Sequence, residues 1–260
     1  MEIFYREYGE GRTILIFHGW LGLSDHWIGI GKLIADSGYR VIIPDLPNHG
    51  RSSHTQGFSY VEMASIMQDF IIRQAVEKPI IIGHSMGGKI ALAMNNAVNN
   101  NFDYSGLILL DIHNKSYDDS YFDSNFNKVL LDTNPQDFSS MREALEYFQN
   151  QNLDKSYIAL LIKNLERRSS GLRWKPNLPM LAIEDREIRG SVEVGTSWVP
   201  SLLVRGGDSN YVTNQDIIDL KRILPRLDVE TIPSSGHWLH VDRSDKLVEA
   251  ILGFLKVIGY

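Results

Sequence analysis

Two hydrophobic rhythms alternate along the first 111 residues. Short, nearly continuous apolar runs at 13–17, 40–43, 79–82 and 106–110 read as strands buried on both faces. Between them, at 25–37, 59–77 and 86–99, apolar residues recur at spacings of three and four, which predicts amphipathic helices. Strands that alternate with helices of this length form a mostly parallel sheet with crossover helices on both faces, an α/β fold. The opening stretch 3–8 alternates apolar and polar residues instead, as a half-exposed antiparallel edge strand does. Beyond residue 111 the rhythm breaks, and the segment contains two strongly helical stretches, 139–149 and 155–168. It resumes with a strand at 199–204, a helix at 213–224, a strand at 228–232 and a closing helix at 243–258. The expected organisation is one core, 1–111 together with 198–260, carrying a helical lid at 112–197. The Asn-rich stretch 95–101 reads as a helix end and turn.

One junction between a strand and a helix carries chemistry. Gly83-His84-Ser85-Met86-Gly87 fits G-x-S-x-G, directly after the apolar run 79–82 and directly before a predicted helix. Small residues two positions either side of Ser85 permit a sharp turn that lifts the hydroxyl above the sheet. Serine is a poor nucleophile at its ordinary pKa and needs a base to take its proton. Of eight histidines, His237 is the one placed for this, just past the last predicted strand, where open α/β sheets keep their sites. His26, His49, His54 and His113 read as loop or surface residues, and His84 and Trp238 as pocket residues. Stabilising an oxyanion takes two backbone N–H groups. Met86, which follows the nucleophile, supplies one, and Trp20, in the His18-Gly19-Trp20-Leu21-Gly22 loop after the second strand, supplies the other.

Composition narrows the alternatives. The 260 residues are 43% hydrophobic, enough for a substantial core. A net charge of -6 gives no electrostatic reason to expect nucleic acid as a partner. Without cysteine there is no thiolate nucleophile and no disulfide. The first residues lack an apolar run of signal-peptide length and no run is long enough to span a bilayer, so the expectation is a cytoplasmic protein without membrane insertion. His237 and His240 lie three apart without a supporting ligand cluster, so no metal is expected. Neither G-x-G-x-x-G nor a P-loop occurs, and no cofactor is expected. Oligomeric state has no signature in the chain.

Six motifs together resemble the α/β-hydrolase superfamily, and within it the small bacterial esterase branch related to abhydrolase-11-type proteins. They are HGWLG from His18, PDLPNHGRS from Pro44, GHSMGGK from Gly83, Leu110-Asp111-Ile112, Gly206-Gly207-Asp208-Ser209 and Gly236-His237-Trp238. The resemblance spans the core and is loose over the lid. It implies the α/β-hydrolase fold with a Ser–His–acid triad. Two aspartates at strand ends, Asp111 and Asp208, are open as the acid that holds the imidazole tautomer. The superfamily pattern implies Asp208. The closer branch implies Asp111, with Ser209 beside the histidine.

The expected chemistry is acyl transfer from a small carboxylic ester or thioester to water through an acyl-enzyme on Ser85. The lyase or carbon–carbon hydrolase that the same scaffold supports, and a ligand-binding protein with little turnover, are the alternatives. Trp20, Trp27, Trp174, Tyr121, Phe122 and Phe126 are candidates to line an acyl pocket. Arg167, Arg168, Arg173 and Lys175 read as a solvated face before an anion site.

Overall fold

The computed structural model describes residues 1–95 and 103–260. Seven strands form one sheet: β1 (Tyr5–Tyr8), β2 (Thr13–Phe17), β3 (Arg40–Pro44), β4 (Ile80–His84), β5 (Gly106–Leu110), β8 (Ser201–Gly206) and β9 (Leu227–Ile232). Their spatial order is β1-β3-β2-β4-β5-β8-β9. Only β1 is antiparallel, pairing Tyr5 with Pro44 and Tyr8 with Val41 at the edge. The remaining pairs are parallel, with Ile82 opposite Ile108 and Leu110 opposite Val204 in the centre.

Successive strand residues point to opposite faces, so the near-continuous apolar runs build two cores. Leu15, Phe17, Ile42, Ile81, Leu107, Leu109 and Leu203 face one side. They meet Met63 and Met67 of α2 (Tyr60–Arg73), Ile90 of α3 (Met86–Ala93) and Leu220 of α9 (Asn214–Ile223). Ile14, Ile16, Val41, Ile43, Ile80, Ile82, Ile108 and Leu110 face the other side. There they pack on Ile34 of α1 (Ile28–Ala35) and on Leu247, Ile251 and Phe254 of α11 (Ser244–Val257). Each of these side chains contributes about 1.5–3 kcal/mol by leaving water. The strands whose ends face the site are therefore fixed from above and below.

Between β5 and β8 run α4 (Ser124–Asp132), α5 (Met141–Gln149), α6 (Lys155–Asn164), a hairpin of β6 (Leu165–Arg168) and β7 (Gly171–Trp174), and α7 (Leu178–Ile183) with α8 (Asp185–Arg189). The expected helix 155–168 is thus half right. It stops at Asn164, whose buried side-chain amide donates to the carbonyls of Leu160 and Leu21, and the chain turns back as a two-stranded hairpin. Phe126, Phe148, Leu160 and Leu181 from this insertion join the same core as α2 and α3. The predicted helix 59–77 ends at Arg73, and the chain then passes through left-handed conformations at Ala75 and Lys78. Part of the expected helix 86–99 and of the Asn-rich turn, residues 96–101, lies outside the described residues. Among the described residues no helix is long and apolar enough to cross a membrane.

Candidate active site

The first functional side chain is placed by a strained turn. Ser85 sits between β4 and α3 at φ 51° and ψ -122°, a left-handed conformation that costs a non-glycine residue on the order of 1–3 kcal/mol. Its N–H still donates to Leu110 O at 3.2 Å, so β4 is bonded to β5 up to the turn itself. A Cβ at Gly87 would collide with the carbonyl oxygens of Phe17 and His18, which is why the elbow helix can start so close to the end of β2. The hydroxyl is half-buried and faces a cleft.

Asp111 follows β5 and is also held at positive φ, 49°, with its N–H donating to Val204 O at 2.8 Å. Its fully buried carboxylate accepts three hydrogen bonds. They come from His237 Nδ1 at 2.8 Å, Ser209 Oγ at 2.5 Å and Gly206 N at 3.2 Å. A carboxylate on Nδ1 fixes the imidazole tautomer and leaves Nε2 as the ring atom free to face the cleft that Ser85 lines. The ring of His237 is sandwiched further by Tyr211, stacked at 3.6 Å between centroids and 14° between planes. His84 donates from Nε2 to the His237 carbonyl at 2.9 Å, holding the backbone of the loop that carries the histidine. Burial pushes the His84 pKa down to about 3, with His237 adding to the shift, so His84 acts as a neutral strut.

Asp208, the other acid candidate, is exposed, and its N–H donates to Ser235 O at 3.0 Å. The structure thus brings Asp111 and Ser209 to His237 and leaves Asp208 on the surface. The reason is the tight turn at Asp111, which directs that carboxylate across the ends of β5 and β8.

The loop after β2 reaches the serine from the other side. A Cβ at Gly19 would lie 3.1 Å from Ser85 Cβ and 3.0 Å from His84 Nδ1, so the chain of Trp20 passes against the nucleophile. His18 pins this loop: fully buried, it donates from Nδ1 to Gly19 O at 2.8 Å and accepts from Leu46 N at 2.9 Å through Nε2. Burial lowers its pKa to about 3. The 45–52 loop is braced by the buried Asp45 carboxylate, which accepts from Ser24 N at 2.6 Å and Arg51 N at 2.9 Å. Arg51 also pairs with Asp25 at 3.3 Å.

The cleft holds about 660 Å³ of empty space, part of it open to solvent. Ser85, His237, His84, Trp238, Trp20, Trp27, Tyr121, Phe122 and Phe126 all line it. Trp174 does not. It packs on Phe148 and its indole N–H donates to Thr133 O at 3.4 Å, away from the cleft. Trp20 and Asn127 also border an adjoining cavity of about 550 Å³ walled by Leu130, Leu131, Leu178 and Leu181.

Of the histidines read as loop or surface residues, His49 and His113 do lie in loops but not on the surface, and His26 faces the cleft. His49 is fully buried, edge-on to His18 at 5.2 Å, and His113 is buried with Nδ1 accepting from Lys115 N. His26 is half-buried and lines the cleft, as does His240. The contacts of His49 with His18, of His240 with Trp27 and of Tyr211 with His237 join distant parts of the chain, and sequence spacing carries no trace of that. Among the basic residues of the hairpin, Arg168 and Arg173 pair with Glu166, Arg167 donates to Ser139 O and Lys175 to Lys163 O. None of the four lines the cleft. Among the described residues no group of three or more His, Asp or Glu side chains is arranged to hold a metal ion.

Comparison with known proteins identifies the family. The family model for the alpha/beta hydrolase fold matches residues 12–244. The chain is 28% identical to esterase YbfF of Escherichia coli over 244 residues, covering 93% of this chain and 92% of that protein. It is 27% identical to the sn-1-specific diacylglycerol lipase ABHD11 of Danio rerio over 257 residues, covering 95% and 80%. Among solved structures, a marine microorganism esterase superposes with a TM-score of 0.90 at 32% identity, covering 98% of this chain and 99% of that one.

Proposed function

Because the chain belongs to the alpha/beta hydrolase fold family and is a hydrolase of the esterase kind, we propose that it cleaves carboxylic esters or thioesters through an acyl-enzyme on Ser85. In this reading His237 Nε2 removes the seryl proton as Oγ attacks the carbonyl carbon. The same proton passes to the leaving oxygen or sulfur as the tetrahedral intermediate collapses, and a water activated by His237 then releases the acid. Asp111 keeps the proton-bearing Nδ1 in place and stabilises the imidazolium, without taking the proton itself. The N–H groups of Met86 and Trp20 hold the oxyanion, a contribution of about 10²–10³ in rate for each donor. The observation that carries the proposal is the 2.8 Å contact of His237 Nδ1 with the buried Asp111 carboxylate, in a cleft shared with the strained Ser85.

Substrate shape follows from the walls. The aromatic cleft and the leucine-lined cavity beside Trp20 suit an apolar acyl chain. Among the described residues no Lys or Arg lines the cleft, whereas Asp123 does, which argues against an anionic acyl group. The small ester or thioester needs no cofactor in this scheme. The proposal is tested by exposing the folded protein to a fluorophosphonate probe and mapping the adduct by mass spectrometry. The expected result is a single adduct on Ser85, lost in Ser85→Ala together with the burst of p-nitrophenol from p-nitrophenyl acetate. An unlabelled Ser85 in folded protein would overturn it and favour a binding role. Labelling without ester turnover would favour carbon–carbon cleavage on the same scaffold.

A further inference from the structure

Two imidazoles in the wall of the cleft are left with buried, unsatisfied nitrogens. His26 closes the turn Ser24–His26, and its Nδ1 accepts from Leu23 N at 3.2 Å. That bond puts the proton of the neutral ring on Nε2, which is buried and has no hydrogen-bond partner among the described residues. His240, on the short helix α10 (Leu239–Asp242), is 9% exposed, and its Nδ1 is likewise buried without a partner. Its ring is held flat against Trp27 at 4.4 Å and 18°. Both rings line the cavity that contains Ser85 and His237. Buried polar atoms are nearly always paired, and two orphans on rings that line the same cleft point to a ligand group that completes them.

We propose that His26 and His240 form a subsite for an uncharged hydroxyl on the alcohol portion of the substrate ester. The inference rests on the serine-esterase reading above and goes beyond it by naming what the leaving group carries. Its place follows from the proton path. The leaving oxygen takes its proton from His237, so the alcohol departs on the imidazole side of Ser85. The ring of His84 bridges that side to the subsite, 4.8 Å from His237 and 5.0 Å from His240 between centroids. A hydroxyl matches the pair because it both accepts, as His26 Nε2–H requires, and donates, as His240 Nδ1 requires in the Nε2–H tautomer. Burial drives the His26 pKa down to about 3 and that of His240 well below the ordinary imidazole range. Both rings are therefore neutral near pH 7 and give no charge to hold a carboxylate or phosphate. Lys163 adds to both shifts, and that nearby positive charge also disfavours a cationic alcohol.

The test compares propyl, 2-hydroxyethyl and 2-methoxyethyl butanoate, three esters of one acid and nearly one size, by pH-stat titration. In the native protein kcat/KM for the 2-hydroxyethyl ester should exceed that for the propyl ester by at least about ten-fold, the effect of one well-made hydrogen-bonded pair. The methoxyethyl ester, which accepts but does not donate, should fall between them. His26→Phe and His240→Phe should bring the ratio to about one, and His26→Asn, which restores a donor, should recover most of it. Should His240→Phe fail to fold, His26→Phe and His26→Asn decide the question alone. A ratio near one in native protein whose Ser85 is labelled by the fluorophosphonate overturns the subsite while leaving the esterase reading intact, and would mean that water completes the two rings. A ratio kept in the Phe variants also overturns it, since the hydroxyl is then read elsewhere. Failure of Ser85 to label removes the premise and the subsite together.

Discussion

The carboxyl ends of the sheet and the insertion between β5 and β8 both face the cleft, yet they are built in different ways. At the sheet ends every functional group is tied by the main chain. Ser85 N is bonded to Leu110 O, Asp111 N to Val204 O, and the Asp111 carboxylate to Gly206 N and His237 Nδ1, so the proposed nucleophile, acid and base share one hydrogen-bonded frame. The insertion contributes side chains from amphipathic helices, such as Phe126 stacked on Tyr157 at 4.4 Å, while its outer surface is laced with exposed ion pairs such as Lys128 with Asp132. Proton transfer tolerates little misplacement, whereas an apolar wall needs only area and shape. The difference teaches where a substitution changes rate and where it changes substrate.

The largest effect expected from this contrast is on the acid. Asp111→Asn keeps the shape of the site but replaces an acceptor of His237 Nδ1–H by a group that also donates. That substitution should lower kcat by about 10³–10⁴ through the wrong tautomer. Asp208→Asn, on the surface, should stay within about three-fold, because surface changes away from such features are nearly silent. Burst kinetics with p-nitrophenyl acetate separates acylation from turnover in both. A loss confined to Asp208→Asn would break the comparison, since the acid would then belong to the loop after β8.

Next in size is the question of whether the insertion is a separate unit. Phe148 of α5 is fully buried and belongs to the same apolar cluster as Leu15 and Ile81 of the sheet, and Ile82 lies fully buried on the opposite face. Truncation of either to alanine should cost about 2–5 kcal/mol. Urea denaturation followed by tryptophan fluorescence and by circular dichroism should then give one shared transition for each variant, shifted to lower urea with the slope unchanged. Two transitions in Phe148→Ala would show that the insertion melts alone and that its packing on the core is loose.

Much of this was legible in the chain, for reasons that differ by element. The strand at 13–17 was recovered to the residue, because Thr-Ile-Leu-Ile-Phe combines β-branching with continuous apolarity between two glycine-containing turns. The sharp turn at Ser85 was legible because glycines two positions to either side permit it. The hairpin 165–174 was not, since Glu166, Arg167 and Arg168 are good helix formers and extend the period of α6. The helix is ended instead by the tertiary bond of Asn164 to Leu21 O, a partner 143 positions away. The stack of Tyr211 on His237, the strut from His84 and the place of His26 and His240 in the cleft lining were equally invisible, because they depend on loops that meet only once the sheet has formed. Asp111 was open from the residues alone, and a family resemblance, rather than any local rule, singled it out.

The smallest effect sits at the seam between the two regions. Lys89, on the helix that starts at Ser85, is 1% exposed, and its Nζ donates to the carbonyls of Arg189 at 3.2 Å and Gly190 at 2.6 Å at the end of α8. It lies 4.8 Å from the ring centroid of Tyr117 and has no carboxylate partner among the described residues. Burial lowers its pKa to about 7, with repulsion from Lys115 adding to the shift. In the unfolded chain the same amine keeps its proton up to the ordinary lysine range, so above pH 7 the folded state binds fewer protons than the unfolded one. Stability therefore rises with pH in that window, by on the order of 1 kcal/mol between pH 7 and 8, or roughly 2–4 °C in Tm. Lys89→Met removes the titration, and subtracting its Tm from that of the native protein at each pH isolates the lysine. A difference that grows steadily from pH 7 to 8 means that the seam is held by a desolvated amine that sheds its charge. A flat difference means that water reaches Lys89, and the insertion is then less tightly joined to the elbow helix than the carbonyl contacts indicate.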